Sequence, residues 1–409
     1  MLSVSDARTR ILATFTPVET VTLPIDDLAG RVLAVDVDAT TDFPPFDNSS
    51  VDGFAVKISD AVAATSDSPR TLNVIDDIRA GTYSTTPIRP GQCARIMTGA
   101  PLPPGAEAVV MVEDTDFKVR FSESIAPKTV TVFQSVRPGE NVRQRGDDLH
   151  EGDLVMLSGR RLGAREIGLL AMLGFPEMLV YRRPRVALLS SGDELLPVGA
   201  ELTSGKIHDA NSYMLAALLE SSGVELIRLG VASDTEADVR SRLERAVQEK
   251  ADLIISSAGV SMGAFDYIKA VVESDGGLDF WKVNMRPGKP LAFGKFHGIP
   301  FFGLPGNPVS AFVGFEVFVR PALEKLSGQA FHPRPTQTAR LAEPVESDGR
   351  ETYLRVIVNE ENGQLTARLT GHQGSGNLLS LVQGNALLIL PSGVKSLPAS
   401  SEVQIWSLE

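Results

Sequence analysis

From residue 184 onward the chain takes strand-like and helix-like segments in turn: RVALLSS, NSYMLAALLESSG, VELIRLGVASD, TEADVRSRLERAVQEK, ADLIISSAGV and AFDYIKAVVESDG. Continuous apolar runs of this kind need cover on both faces. Helices between them supply that cover when the strands lie parallel and the crossovers are right-handed. The pattern predicts a doubly wound α/β domain. Two further segments, PLAFGKF and IPFFGLPGNP, lead into an apolar helix from about 309 to 326.

The flanks read differently. Residues 5–15 begin at a serine cap candidate and place Ala7, Ile11 and Phe15 every four residues, which predicts a short amphipathic helix in need of a partner. From 18 to 157 short Val, Ile and Thr runs broken by Gly, Pro and Asp predict mostly β structure, and 159–175 predicts a helix that ends at Gly174 before Pro176. The tail from 329 to 409 returns to β, with YLRVIV and LTARL joined across Asn362 and Gly363 as a hairpin. A chain of 409 residues has room for several such domains.

Composition narrows the function. Thirty-nine Lys and Arg against 51 Asp and Glu give a net charge of −12, which opposes a general nucleic-acid or anionic-membrane surface, so any anion site must be a local pocket. One cysteine, Cys93, excludes an intramolecular disulfide or a cysteine metal centre and fits a reducing cytoplasm. The five histidines lie far apart, so metal chemistry would use carboxylates. No apolar run reaches the ~18 residues of a membrane span, and Asp6, Arg8 and Arg10 stand where a signal peptide would have its apolar core.

In an open doubly wound sheet, ligands bind outside the carboxyl ends of the strands. The segments expected there are SSGDE, VASD, SSAGVSMG, MRPGKP and LPGNP, every one small, glycine-rich or charged. Backbone N–H groups, a Pro308 suited to a first helical position, Arg286 and Lys289 describe a phosphate or oxyanion pocket. Glu194, Asp234 and Asp266 bring carboxylates to the same edge, suited to sugar or pterin hydrogen bonds or to Mg²⁺. Taken singly, each of these is also a turn or a helix cap. GxxxxGK[ST] and GxGxxG are both absent. In the first half, Asp52–Gly53 alone reads as a hairpin turn, Thr98–Gly99 as a turn, and Arg143 with Asp147 and Asp148 as a surface ion network. In the tail Ser375 sits in the GHQGSG loop, and Arg355 lies on a predicted strand with solvent as its simplest surroundings.

DFPPFDNSSVDGFAV, RIMTGAPLPPGAEAVV, ENVRQRGDDL, SSGDEL, SSAGVSMGAFDY, MRPGKPLAFG, LPGNPVSAF and GHQGSG occur in the order of the molybdopterin molybdenumtransferase family, which the chain resembles along nearly its whole length. The C-terminal region of gephyrin belongs to the same family. The resemblance implies a multidomain α/β plus β protein. It has a discontinuous helical and linker domain (1–44 and 138–176), an inserted β domain (45–137), a central α/β domain resembling molybdopterin adenylyltransferase (177–328) and a C-terminal β barrel (329–409). It also implies a cytoplasmic homodimer whose cleft combines the α/β and C-terminal domains of one subunit with the inserted domain of the other. Other molybdenum cofactor biosynthesis proteins are further candidate partners.

The reaction implied is insertion of molybdate into adenylylated molybdopterin. Dithiolene sulfurs replace oxo ligands and the phosphoanhydride is hydrolysed, releasing AMP and molybdenum cofactor. By motif, Glu194, Asp234 and Asp266 would bind the pterin nucleotide or Mg²⁺, while Pro305, Asn307 and Pro308 shape the pocket floor. Arg286, Lys289, Arg355 and Ser375 would hold molybdate, and Ser257 and Pro290 join the substrate-binding set. Asp52, Thr98, Arg143 and Asp148 would complete the cleft from the partner subunit, with Asp52 or Asp148 positioning metal or water. Ala258, Phe54 and Arg286 depart from the family's usual glycine, tyrosine and lysine; at Arg286 a planar fork replaces a point charge. The competing readings are an adenylyltransferase or nucleotide pyrophosphatase on the same α/β domain, and a non-catalytic scaffold.

Overall fold

The computed structural model describes residues 1–117, 125–258, 264–330, 333–361 and 363–408, with the side chains of 258, 264–266 and 281 outside the description. Contacts divide the chain into a smaller unit, Asp36–Leu157 with Leu169–Phe175, and a larger one, Met1–Val35 with Ser158–Gly168 and Pro176–Glu409.

In the smaller unit a five-stranded mixed sheet runs in the order β4-β1-β3-β2-β5, where β1 is Gly53–Val56, β2 Arg70–Ile78, β3 Gln92–Ile96, β4 Ala108–Met111 and β5 Thr129–Val132. Alternation along β1 sends Phe54 and Val56 into one apolar cluster and Ala55 into another, so both faces are buried. Cys93 is buried in the first cluster, and burial pushes its thiol up to about 12, so it is inert packing. Asp52–Gly53 is not a hairpin turn. Gly53 pairs within the sheet with both Ile96 and Met111, and a Cβ there would lie 2.0 Å from the Val110 carbonyl oxygen. The glycine is required by close strand approach and not by turn geometry.

The larger unit begins with α1 (Val4–Ala13), capped by Ser3, whose hydroxyl accepts from the Asp6 N–H at 3.0 Å. The cap is thus Ser3 and not Ser5, because Asp6 lies three residues on from Ser3. Val4, Ala7, Ile11 and Phe15 pack on the central sheet, with Phe15 6.3 Å from Phe302 in a stacked arrangement. That sheet runs β7-β6-β8-β11-β10-β9, with β6 Arg185–Ser191, β7 Glu225–Ala232, β8 Leu253–Ala258, β9 Gly276–Lys282, β10 Pro290–Phe296 and β11 Ile299–Leu304. β7, β6, β8 and β11 are parallel, as the alternation predicts. β10 and β9 each run antiparallel to their neighbour, because β11 follows β10 through a short turn with no crossover helix.

Helices α2 (Ala210–Ser221), α3 (Glu236–Gln248) and α4 (Ala264–Asp275) cover the faces. Val186 and Leu188 join α2 in one core, while Ala187 and Leu189 join α3 and α4 in the other. The apolar helix expected at 309–326 is α5 (Pro308–Gly314), a π-turn at Phe315–Val319 and α6 (Arg320–Leu326). Pro321 has no N–H to give the preceding turn, and the wider turn accommodates that loss.

The tail forms a closed five-stranded barrel. Its strands are β12 Gln337–Leu341, β13 Glu351–Glu361, β14 Gln364–Leu369, β15 Ala386–Leu390 and β16 Glu402–Ser407. They pair in the circuit β13-β14-β12-β16-β15, and β15 returns to β13. Leu354, Val356, Ala367, Leu388 and Ile405 fill the inside, whereas Tyr353, Leu387 and Trp406 face outward into the α/β core. The hairpin expected across Asn362 and Gly363 is β13–β14, with Glu361 opposite Gln364; Asn362 itself lies outside the described residues.

Candidate active site

β6 ends at Ser191, and the chain turns through Gly192 at φ +144°, where a Cβ would lie 2.5 Å from the Glu194 carboxylate. At that φ glycine is the least strained residue, and Glu194 folds back over the strand end. After β11, Pro305–Pro308 leads into α5, and the Asn211 side-chain amide donates to the Gly306 carbonyl at 2.7 Å, tying α2 to this loop. The Arg286–Pro290 segment reaches the barrel because Met285 and Arg286 pair in parallel with Glu351 and Thr352 at the start of β13. The GHQGSG loop closes the circuit through the Ser375 carbonyl, which accepts from the Val309 N–H at 3.0 Å.

These segments enclose a cavity of about 900 Å³ at the carboxyl edge of the sheet. Glu194, Ser257, Arg286, Lys289, Pro290, Pro305, Asn307, Pro308, Arg355 and Ser375 all line it. Residues spread over some 180 positions of sequence therefore meet in one place.

Arg355 decides the cavity's chemistry. It is 1% exposed, and its guanidinium donates to the Ser380 hydroxyl at 3.0 Å and the Gly374 carbonyl at 3.1 Å. It pairs with no carboxylate among the described residues. Burial, and then the charge of Arg286, push it down to about 10. The expectation of a solvent-facing Arg355 is therefore corrected: its strand is in a closed barrel, and this position faces the cavity. Arg286 and Lys289 also make no ion pair among the described residues. Four cations line the cavity, and three of them, Arg286, Lys289 and the buried Arg355, have no ion pair among the described residues, which calls for an anion.

The carboxylates divide. Asp234 does not line the cavity but braces the Glu194 loop: it lies 3.4 Å from both the Ser191 hydroxyl and the Asp193 N–H, and its own N–H donates to Asp193 at 3.1 Å. Asp266 falls in α4 with its side chain outside the described residues, and residues 259–263 of SSAGVSMG are outside as well. No cluster of three metal-ligating side chains occurs among the described residues. Glu194 and Asp234 are nonetheless hard-oxygen donors of the kind Mg²⁺ takes.

In the smaller unit Asp52 and Thr98 come together, with the Thr98 N–H and hydroxyl donating to one Asp52 oxygen at 2.8 and 2.7 Å. Arg143 is exposed on a short strand opposite Asn48, and Asp148 is exposed too. The ion network expected of Arg143 with Asp147 and Asp148 does not form. Asp147 instead accepts from the Gln144 N–H at 2.7 Å, and the ion pair nearby joins Arg145 to Asp42 at 2.5 Å. The local turn satisfies backbone donors first.

Sequence reasoning passed over Arg350 and Asn211, both of which line the cavity. Arg350 pins the Met285 carbonyl at 3.0 Å and holds Asp348 down to about 2. Its only signal was a cation just before a strand. Asn211 follows Asp209, whose carboxylate caps α2 by accepting from the Ser212 N–H at 3.0 Å, so it read as part of an ordinary helix start.

Comparison with known proteins covers nearly the whole chain. The MoeA N-terminal region (domain I and II) matches residues 2–174, a probable molybdopterin binding domain matches 187–325, and the MoeA C-terminal region (domain IV) matches 338–408. A molybdopterin molybdenumtransferase of Haemophilus influenzae is 37% identical over 410 residues, 99% of this chain and 98% of the relative. The chain belongs to the molybdopterin molybdenumtransferase family. Among other members, molybdopterin molybdenumtransferase 2 of Mycobacterium tuberculosis is 38% identical over 395 residues, 95% of each chain. A crystal structure of a molybdopterin biosynthesis MoeA protein from Pyrococcus horikoshii superposes with a TM-score of 0.82 at 30% identity, covering 100% of this chain and 99% of the other. The family's multidomain fold is thus the fold of this chain.

Proposed function

We propose that this chain inserts molybdate into adenylylated molybdopterin, with hydrolysis of the phosphoanhydride and release of AMP and molybdenum cofactor. As a family member it is a transferase of molybdenum cofactor biosynthesis; the adenylylated substrate is our reading. The observation that carries it is Arg355, a buried guanidinium without a carboxylate partner among the described residues, in a cavity it shares with Arg286 and Lys289. Molybdate is a dianion of four oxygens, and it needs both positive charge and hydrogen-bond donors.

In this reading Arg355 and Arg286 hold the oxyanion by forked donors, Lys289 adds a point charge, and Ser375 supplies a hydroxyl. Pro305, Asn307 and Pro308 form the floor under the pterin nucleotide, beside Ser257 and Pro290. The family motif would put Mg²⁺ on Glu194, Asp234 and Asp266, of which Glu194 lines the cavity and Asp234 braces its loop, and the ion would offset the charge of the phosphoanhydride. Asp52, Thr98, Arg143 and Asp148 act on the cavity of a second copy in a homodimer, where Asp52 or Asp148 orients water. No helix among the described residues is long and apolar enough to cross a membrane, and we assign the reaction to the cytoplasm.

Equilibrium dialysis with molybdate tests the anion site. Molybdate should bind, and Lys289→Gln combined with Arg286→Gln should weaken binding at the cavity about 100-fold or more. Unchanged binding would remove the basis of the proposal.

A further inference from the structure

All four parallel strands of the central sheet begin at its amino edge, opposite the cavity. The starts of β6, β7, β8 and β11 border a second groove there, of about 940 Å³. The carboxylates of this groove are already engaged. Arg182 forks Asp252 at 2.7 and 2.8 Å and reaches Glu19 at 2.7 Å, and Arg185 holds Glu225 at 3.1 Å. Arg31, Arg183 and Lys250, which line the same groove, make no ion pair among the described residues.

Arg31 is the informative one. It is half-buried, and its Nε is buried with no hydrogen-bond partner among the described residues. Burial first and the charge of Arg183 second lower its pKa, opposed in part by Asp27. Two guanidiniums close enough to repel, neither with a carboxylate among the described residues, are offset by an acceptor that carries negative charge. Lys250 occupies a left-handed position at φ +54° after α3, which glycine would adopt with less strain, yet a cation stands there. The chain as a whole carries −12, so bulk charge does not explain this concentration of cations.

We propose that the groove is a second anion site, remote from the active cavity, in which Arg31 and Arg183 clasp the phosphate of a small phosphorylated molecule and Lys250 stands at its rim. The groove is larger than a single phosphate needs, which leaves room for the rest of that molecule.

The test is calorimetric titration of the full chain with inorganic pyrophosphate and, separately, with adenosine diphosphate. Both titrations use the Arg286→Gln, Lys289→Gln background, so that the active cavity does not compete. One equivalent of saturable binding should persist, and adding Arg183→Gln or Arg31→Gln should weaken it at least tenfold. Arg183 is exposed, so its replacement tests the site even where Arg31→Gln fails to fold. Similar binding of both probes would identify a phosphate-only contact, and a preference for the diphosphate nucleotide would identify a nucleotide; each supports the site. No saturable binding in that background, or binding that Arg183→Gln leaves unchanged, overturns it.

Discussion

At the scale of single residues, the account turns on a buried charge. Arg355 is buried with no carboxylate partner among the described residues, and burial and then Arg286 lower it to about 10, still well above neutral pH. Arg355→Gln should lower molybdate affinity about 100-fold, roughly 2.7 kcal/mol. Arg355→Lys should recover only part of this, since a point charge cannot reach Ser380 and the Gly374 carbonyl as the fork does. Dialysis of the two variants checks both statements. The importance of Arg355 was invisible without family resemblance, because one arginine on a strand carries no mark of which way it faces. Gly53 is the opposite case. Its backbone role was misread from the Asp-Gly pair, and Gly53→Ala should cost about 3 kcal/mol or more, measured by denaturant unfolding, because the added carbon meets the Val110 carbonyl.

At the scale of elements, Glu166 shows how the helix expected over 159–175, which spans Ala164–Met172, is held at its start. Its carboxylate accepts from Arg160 at 2.8 and 3.1 Å and from the Gly163 N–H at 3.0 Å, and the Arg160 bonds first, with backbone donors after them, lower it to about 2 from an ordinary 4.5. A carboxylate with a depressed pKa contributes its stability above the unfolded value, and that contribution is lost as pH falls through the folded one. Glu166→Gln should therefore cost about 1 to 2 kcal/mol at pH 7. The gap between variant and parent should close between pH 4.5 and 2, as thermal melting at a series of pH values would reveal. Elements of this size were legible where a period was clear. Strand and helix alternation from 184 gave the parallel core, and the Asn-Gly pair gave the β13–β14 hairpin. What periodicity does not encode is strand direction after a tight turn, hence the unexpected antiparallel β9 and β10. Nor does it encode that β15 returns to β13 to close a barrel, which depends on contacts far apart in sequence.

At the scale of the molecule, the cavity needs loops from the central sheet together with a barrel strand that begins some 160 residues after β6. Adjacent motifs could be read as an edge, but only folding joins them to Arg355. The proposed homodimer makes a separate prediction. If Asp52 serves the cavity of another copy, mixing inactive Asp52→Asn with inactive Lys289→Gln chains should restore roughly a quarter of the parent activity, since about half of all dimers are then mixed and each mixed dimer holds one intact site of two. No recovery after subunit exchange would place each site within one copy. The most direct measurement is turnover of purified adenylylated molybdopterin by the chain, with and without molybdate and Mg²⁺, following AMP and active cofactor together. The account predicts AMP release that depends on molybdate and matches cofactor formation. AMP release without molybdate and without cofactor, or substrate binding with no release, would contradict it.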